Sequence, residues 1–419
     1  MTQLSFDGNR IQDLGEETVI VIDPGHGGEN YGTIQNGHLE KEMTLTTATA
    51  MYEELSKYDN VTVYMTRTDD VEMSLLERAE FAAEKEADFL FSIHYNASVH
   101  HNLYGSEVWI PAFAPFHSYG YQFGAVQMET MADMGLSLRG VKSKIGDNGQ
   151  DYYGIIRQST TLDIPACIIE HCHVDESRDS VYCETKDQLI AFGRADATSV
   201  AKYLGLKSTE LGVDYSGYAQ NNLANITADT IVSYARNSYT APEYCSIELV
   251  DADYDNGDIT ITVSGGDSDA PLLYYDYSLD AGLNWSELGT WPGSDVLNST
   301  NDESFTITLT VPSGQKPNLM VRAYNIFDAR TPSNTLIFDT FHYGEEEITL
   351  EEYARSLGID HSTGTEAYED PLVKTFLPLY DKLEKNGTAM FTTLSITVLL
   401  ILFSVFTLIM NIFTLKRRR

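Results

Sequence analysis

The sequence reads VIVIDPGHGG from Val19 to Gly28. Its four β-branched residues end at an Asp-Pro-Gly turn, which is typical of a buried strand that stops abruptly. The turn places His26 between glycines, where no neighbouring side chain blocks the approach of a ligand. Most histidines in such turns are structural, so His26 indicates a functional site only if other residues join it.

Strands and helices alternate from residue 17 to about residue 206. The predicted strands are Thr18–Asp23, Val61–Thr66, Asp88–His94, Gly105–Ile110 and Ile164–Glu170, and the predicted helices are Lys41–Tyr58, Leu75–Glu86, Tyr119–Met134 and Lys186–Leu204. This alternation predicts an α/β domain in which helices cover a mostly parallel sheet.

Three of the predicted strands end at residues with chemical capacity. His26 follows the first strand, His94 ends the run Phe89–Ile93, and Glu170 ends the run Ala166–Ile169. In open α/β sheets, ligands bind outside the carboxyl ends of the strands. We therefore expect two imidazoles and one carboxylate to converge on one crevice.

Two histidines and one carboxylate make a sound ligand set for zinc, with a fourth position left for water. The third ligand should differ from Glu170, because the activated water also needs a nearby base. Glu40 is the best candidate, since it follows the glycine-bearing loop Gly32–Gly37 at the start of the next helix. Two alternatives stay open. Glu40 could be an ordinary first-turn carboxylate favoured by the helix dipole, and Glu29 lies closer to His26 in sequence.

Several motifs occur in order and at fitting spacing along residues 17–206. They are VIVIDPGHGG, GHLEKEMTL, VTVYMTRTDD followed by Arg78, FLFSIHYNAS, the pair Arg139-Gly140, and IPACIIEHC. Together they resemble the zinc-dependent N-acetylmuramoyl-L-alanine amidase family of bacterial cell-wall hydrolases, with an amidase type 3 catalytic domain. The resemblance covers somewhat under half of the chain, and the combination of motifs is highly specific.

The resemblance implies a role for each matching residue. His26, Glu40 and His94 would be the zinc ligands, and Glu170 would be the catalytic carboxylate. The reaction implied is hydrolysis of the amide between the lactyl group of N-acetylmuramic acid and L-alanine in peptidoglycan. Zinc would acidify water and polarise the carbonyl, and Glu170 would carry the proton to the leaving amine.

The chain departs from the family pattern at two places. The family usually follows its catalytic glutamate with a Gly-Phe pair and an Asn, whereas this chain has the run His171–Asp175. The family's aspartate after the glycines is replaced by Asn30. His171 and His173 could be outer partners of the site, substrate contacts or neither. Two other functions therefore stay open: an inactive amidase-like module that binds cell-wall glycopeptide, and a zinc peptidase that cuts the stem peptide.

The pattern changes after residue 206. Residues 207–241 are polar and predict a linker with one short helix, Thr227–Arg236. Period-two alternation and turn signals over residues 242–342 predict an all-β sandwich of immunoglobulin or fibronectin type III character. No aromatic platform is evident in it, so the sequence favours a spacer or a weak interaction module. Residues 343–387 are acidic and then mixed, and they predict a stalk.

The C-terminal segment predicts a transmembrane helix. Residues 389–415 carry no charge, and as a helix they would reach about 40 Å, enough to cross a hydrocarbon core of about 30 Å. Residues 416–419 form a basic cluster, which is expected on the cytoplasmic side. We therefore expect single-pass attachment to the cell membrane with the catalytic domain outside. Residues 1–17 contain no apolar export signal, so we expect one upstream of Met1 rather than a tail anchor that faces inward.

Composition narrows the expected partners. The formal net charge of −35 argues against nucleic acid, which needs a basic footprint. The resemblance implies peptidoglycan as the substrate, the uncharged segment 389–415 predicts the membrane as a partner, and the sequence indicates no oligomeric state. The four cysteines form neither a CxxC pair nor zinc-finger spacing, which predicts buried thiols.

Overall fold

The computed structural model describes residues 17–218 and 240–344, together with two short strands, Ser5–Phe6 and Ile11–Gln12, which pair antiparallel. The predicted helix Thr227–Arg236, nearly all of the predicted stalk and the predicted transmembrane segment at residues 389–415 lie outside the described residues. Within the described ranges, no helix is both long enough and apolar enough to cross a membrane.

The first domain alternates strands and helices, as the sequence predicts. Its strands are β1 (Thr18–Pro24), β2 (Val61–Met65), β3 (Phe89–Asn96), β4 (Ser106–Trp109), β5 (Leu138–Lys142) and β6 (Ala166–His173). Its main helices are α1 (Glu40–Leu55), α2 (Leu75–Glu84), α3 (Phe116–Asp133), α4 (Gly154–Thr161) and α5 (Lys186–Leu204). The elements β5 and α4 are not evident from the sequence pattern.

The strands of the first domain form one mixed sheet in the order β2-β1-β3-β6-β4-β5. The strands β2, β1, β3 and β6 run parallel, β4 pairs antiparallel with β6, and β5 runs parallel to β4. The sheet is therefore mostly parallel, as predicted. Because β1, β3 and β6 are neighbours, the residues at their carboxyl ends lie at one edge of the sheet.

Helices cover both faces of this sheet. In β1, Ile20 and Ile22 pack in a core with α1, α3 and α5, whereas Val21 packs on the opposite side with α2 and α4. This arrangement follows from the alternation of side chains along a strand, which gives a continuously apolar strand two buried faces. The four cysteines are free and buried, as predicted.

The second domain is all β. Its strands are β7 (Tyr244–Asp253), β8 (Asp258–Gly266), β9 (Leu272–Ser278), β10 (Gly289–Thr290), β11 (Ser304–Thr310), β12 (Asn318–Asn325), β13 (Arg330–Pro332) and β14 (Leu336–Ile337). One antiparallel sheet has the order β7-β8-β11, the other has the order β10-β9-β12-β13, and β14 also pairs with β12. The two sheets enclose a core around Trp291. A β-rich second region is thus present, and its immunoglobulin or fibronectin type stays a prediction.

The start of the predicted linker packs against the first domain. Lys207–Ser208 pairs with Val213–Asp214, and the side chains of Leu211, Tyr215 and Tyr218 pack against the first core. The polar composition of this segment hides these few apolar contacts, and the linker boundary at residue 207 stays a prediction. The described residues of both domains up to Tyr343 form one compact unit.

Candidate metal and catalytic site

The turn after β1 holds His26 in an unusual backbone conformation. His26 has a φ of 63°, in the left-handed region that non-glycine residues rarely adopt. The buried guanidinium of Arg78 donates to the carbonyls of Pro24 (2.7 Å) and His26 (2.6 Å). Arg67 donates to the carbonyl of Gly25 at 2.8 Å. Both arginines therefore brace the turn and leave the His26 ring to face the crevice.

Gly25 is required by close packing in this turn. A Cβ atom added to Gly25 would lie 2.3 Å from the His94 ring, closer than any side chain tolerates. The His94 ring therefore lies directly against the backbone of the turn. The rings of His26 and His94 meet edge to face with their centroids 4.9 Å apart.

His26, Glu40 and His94 form one cluster, which we call the histidine cluster. His26 Nε2 lies 3.0 Å from Glu40 Oε1, and His94 Nδ1 lies 3.1 Å from the same oxygen. The donor atoms of the cluster all lie within 4.8 Å of one another, a spacing that could hold a metal ion. Both histidine side chains are 20% exposed and that of Glu40 is 5% exposed, so the cluster opens to solvent on the histidine side.

The charges in the histidine cluster depend on one another. Burial alone would raise the pKa of Glu40, but hydrogen bonds and charge from His26 and His94 lower this pKa below its usual range. Burial lowers the pKa of His26, whereas the contacts with Glu40 and Asn30 raise it, and the net result is a raised pKa. Glu40 is therefore an ionised carboxylate that attracts positive charge into the cluster.

Neighbouring groups orient the donor atoms of the histidine cluster. Asn30 Oδ1 lies 2.9 Å from His26 Nδ1, which directs Nε2 toward Glu40. The backbone N–H of Thr33 donates to Glu40 Oε2 at 2.8 Å, and that of Tyr95 donates to Glu40 Oε1 at 3.1 Å. Glu29, the rival ligand in the sequence, is exposed and lies outside the cluster.

Glu170 lies in the same row of the sheet as His94. In the register of β6, Glu170 pairs with His94 of β3 on one side and with Glu107 of β4 on the other. Paired residues on neighbouring strands project to the same face, so these three side chains stand side by side. Burial together with Glu40 and Glu107 raises the pKa of Glu170 well above its usual range, and Lys142 opposes this shift.

Glu107 is the centre of a second cluster, the Glu107 cluster, which sequence reasoning did not find. Arg139 Nε donates to Glu107 Oε2 at 2.8 Å, and Lys142 Nζ bonds the same oxygen. Asn96 Nδ2 and Trp109 Nε1 donate to Glu107 Oε1 at 2.9 and 3.0 Å. Burial alone would raise the pKa of Glu107, but Lys142, Arg139 and His173 lower it by more. The net pKa is below the usual range, so this buried carboxylate is ionised.

The two histidines after Glu170 have different environments. His171 Nε2 lies 2.8 Å from Asp196 Oδ2, and its Nδ1 lies 3.0 Å from the backbone carbonyl of His94. His171 is therefore buried, contacts the backbone of β3 at His94, and is not a member of the histidine cluster. His173 is also buried, but it lines a pocket beside the Glu107 cluster.

A family model described as N-acetylmuramoyl-L-alanine amidase matches residues 20–202. The chain is 28% identical over 217 residues to the sporulation-specific N-acetylmuramoyl-L-alanine amidase of Bacillus subtilis, a match that covers 52% of this chain and 80% of that protein. It is 47% identical over 79 residues to the N-acetylmuramoyl-L-alanine amidase CwlM of Bacillus licheniformis, covering 19% of this chain and 31% of that protein. A solved N-acetylmuramoyl-L-alanine amidase from Clostridium difficile 630 is 27% identical, with a TM-score of 0.40, over 45% of this chain and 98% of that chain.

The matched segment contains the histidine cluster, Glu170 and nearly all of the mixed sheet. Residues 20–202 match the N-acetylmuramoyl-L-alanine amidase family model, which confirms the resemblance seen in the sequence. The chain spans 31% of the length of the Bacillus licheniformis relative. The activity of the whole chain therefore needs its own argument and its own test.

Proposed function

We propose that this chain is a zinc-dependent amidase that hydrolyses the bond between the lactyl group of N-acetylmuramic acid and L-alanine in peptidoglycan. The observation that carries the proposal is the convergence of His26, Glu40 and His94 donor atoms within 4.8 Å, with Glu170 in the neighbouring strand position. The family match supports the same reaction, because the matching family model and relatives are named for it.

The donor set of the histidine cluster fits a catalytic zinc ion. Zinc prefers imidazole nitrogens and carboxylate oxygens, and a set of three protein ligands leaves one position open. Asn30 Oδ1 accepts from the His26 ring and the backbone N–H of Thr33 donates to Glu40, and such outer partners orient the ligands in known metal sites. When bound, zinc supplies a Lewis acid that polarises the scissile carbonyl and acidifies water.

Glu170 is the proton carrier in this proposal. The oxygen of water bonds to the carbonyl carbon, its proton passes to the Glu170 carboxylate, and that proton then goes to the L-alanine nitrogen as the C–N bond breaks. Glu170 Oε2 is shielded from solvent and accepts no hydrogen bond from the described residues, so it has capacity for the proton. The raised pKa of Glu170, caused by burial, Glu40 and Glu107, helps the side chain hold the proton between the two transfers.

Two substitutions test the ligand and proton-carrier roles separately. Glu170→Gln should retain about one equivalent of zinc and lower turnover by roughly 10²–10⁴-fold, the usual contribution of a positioned acid–base group. His94→Ala should lose both zinc and turnover, because it removes a ligand. Zinc is measured by elemental analysis, and amide cleavage is measured by mass spectrometry of digested muropeptides.

Glu29→Gln is the matched control, since Glu29 is a nearby exposed carboxylate outside the histidine cluster. This variant should keep both zinc and turnover. Full activity of Glu170→Gln would remove the proton-carrier role. A wild-type protein that binds zinc without cleaving muropeptides would instead support a binding module. Products cut inside the stem peptide would support a zinc peptidase, because only an amidase releases an intact peptide that starts at L-alanine.

We also propose that residues 389–415 anchor the chain in the cell membrane with the amidase domain on the outer side. The support is the uncharged segment itself, followed by the basic residues 416–419. A chain that ends at residue 386 should be released into the supernatant, whereas the full chain should stay with membranes after an alkaline wash. Release of the full chain by that wash would contradict the anchor.

A further inference from the structure

The β-sandwich packs against the amidase domain through specific hydrogen bonds and an ion pair. Arg139 Nη2 donates to both carboxylate oxygens of Asp328 at 2.9 and 2.8 Å. Lys142 Nζ donates to the carbonyl of Ile326 at 2.6 Å, and Arg178 Nη1 donates to the carbonyl of Leu288 at 2.7 Å. These contacts are more specific than a spacer needs.

Apolar side chains from both domains join the same interface. The buried cluster there contains Tyr104 of the amidase domain and, from the sandwich, Ala270, Leu273, Tyr274, Leu288, Val296, Tyr324 and Ile326. The sandwich loop that follows β12 is therefore held firmly against the amidase domain. Its residues Phe327 and Asp328 are placed beside the catalytic face.

A pocket of about 280 Å³ lies between this loop and the amidase sheet. Asn96, Glu107, Lys144 and His173 line it from the amidase side, and Phe327 and Asp328 line it from the sandwich. Glu107 pairs with Glu170 in the sheet, and Asn96 lies two residues beyond His94 on the same strand. The pocket therefore adjoins the row of residues that contains the proton carrier.

The charges around the pocket indicate which part of a substrate it accepts. Arg139, Lys142 and Lys144 supply three positive charges against the two negative charges of Glu107 and Asp328, so the lining carries one net positive charge. The glycan side of the scissile amide is uncharged, because its lactyl carboxyl is part of the amide. The stem peptide carries carboxylates. The volume is also below the roughly 300–1,000 Å³ of sites for larger organic ligands, which suits a short peptide segment.

We propose that this pocket is the subsite for a carboxylate-bearing residue of the stem peptide, and that Asp328 of the sandwich limits the pocket's positive charge and so sets its selectivity. This inference rests on the proposed amidase function. Asp328 engages one nitrogen of the Arg139 guanidinium, because Arg139 Nη2 donates to both of its carboxylate oxygens, and such charge-assisted hydrogen bonds are stronger than neutral ones. The second domain is thereby a specificity element of the catalytic site.

Two charge changes of opposite sign test the subsite. The full chain is given two muramoyl peptides that differ only in a carboxylate or a carboxamide on the second stem residue, and kcat/KM is measured for both. Asp328→Asn should raise the carboxylate-to-carboxamide ratio by about threefold to tenfold, the size expected for one partly solvated charge. Lys144→Met, on the opposite wall, should lower the ratio by a similar factor.

Asp255→Asn is the control, because Asp255 is an exposed sandwich carboxylate away from the pocket, and it should leave the ratio unchanged. The ratio is an internal measure, so a general loss of folded protein does not shift it. If Asp328→Asn fails to fold, the decrease with Lys144→Met still decides. Equal changes for both substrates, or shifts of the same sign in both variants, would overturn the subsite. Failure of the wild type to cleave either substrate would instead overturn the amidase function.

Discussion

Two buried glutamates of this chain each contact two basic side chains, but the basic side chains are histidines in one cluster and an arginine and a lysine in the other. Glu40 accepts contacts from two basic side chains, His26 and His94, and Glu107 accepts contacts from Arg139 and Lys142. Both carboxylates have a pKa below the usual range because of these partners, despite burial. Geometry alone therefore does not distinguish a metal site from a structural ion cluster.

The basic partners make the difference. A histidine can lose its proton near neutral pH and then present a lone pair to a metal ion, whereas an arginine stays protonated and offers only donors. Exposure follows the same division. The histidine side chains are 20% exposed, whereas those of Arg139 and Lys142 are 2% and 1% exposed. The histidine cluster is thus open to an ion, whereas the Glu107 carboxylate is enclosed by donors that stay protonated.

The largest effect that we expect is a lower zinc affinity in the Glu40→Gln variant. The amide keeps the shape of the side chain but removes the anionic oxygen that faces both histidines. Zinc affinity should fall by more than roughly 100-fold, the upper range for mutation of an outer partner, and turnover should fall with it. The measurement is zinc titration against a competing chelator.

Glu42→Gln is the matched control for this change, because Glu42 lies in the same first turn of α1 but is exposed. It should bind zinc like the wild type. Equal zinc affinity of Glu40→Gln and Glu42→Gln would contradict Glu40 as a ligand. Glu29 would then be the next carboxylate to test as the third ligand.

The second prediction concerns stability rather than metal. Glu107→Gln leaves the buried charges of Arg139 and Lys142 without their common partner, so the free energy of unfolding should fall by about 3–5 kcal/mol. Zinc content of the folded fraction should stay unchanged. Glu84→Gln is a suitable control, since that side chain is 73% exposed. Denaturant unfolding curves measure both variants.

The pH dependence of this second effect has a definite sign. The folded-state pKa of Glu107 is below the ordinary value of 4.5, so its stabilisation is present above that value and is lost as the pH falls below it. The difference between wild type and Glu107→Gln should therefore be full at neutral pH and shrink in acid. A difference that grows in acid would contradict the assignment of Glu107 as the ionised partner.

The sequence predicts the residues that end apolar runs. His94 and Glu170 follow the apolar runs of β3 and β6, within the last part of each strand, and His26 follows β1. Their place toward the carboxyl edge of the sheet therefore follows from strand direction. Glu40 is less certain from sequence, because its position depends on how the loop before α1 folds back. That loop contains the short paired strands Ile34–Gln35 and His38–Leu39.

Long-range partners explain what sequence reasoning missed. Glu107 lies 32 residues from Arg139 and 35 from Lys142, and Asp328 lies 189 residues from Arg139. No local period connects such positions. A charged residue in the short strand β4 was the available signal, since an ionised side chain between buried neighbours needs a partner.

A local irregularity explains the two histidines after Glu170. His171 and His173 are two residues apart, so a regular strand would point both to the same face. The register of β6 instead shifts between Glu170, which pairs with His94, and His173, which pairs with Asn96. This bulge turns His173 toward the pocket, while His171 stays beneath the strand against Asp196. Such a shift depends on the neighbouring strand and is not visible in the sequence.

The smallest predicted effect sharpens the contrast between a ligand and its support. Asn30→Ala removes the group that orients His26 through Nδ1 but leaves all three donor atoms in place. Zinc affinity should weaken by about 10- to 100-fold, and turnover at saturating zinc should stay close to that of the wild type. Asn148→Ala, at an exposed asparagine outside the cluster, is the control. A loss of turnover that excess zinc does not restore would mean that Asn30 acts on the substrate rather than through the orientation of His26.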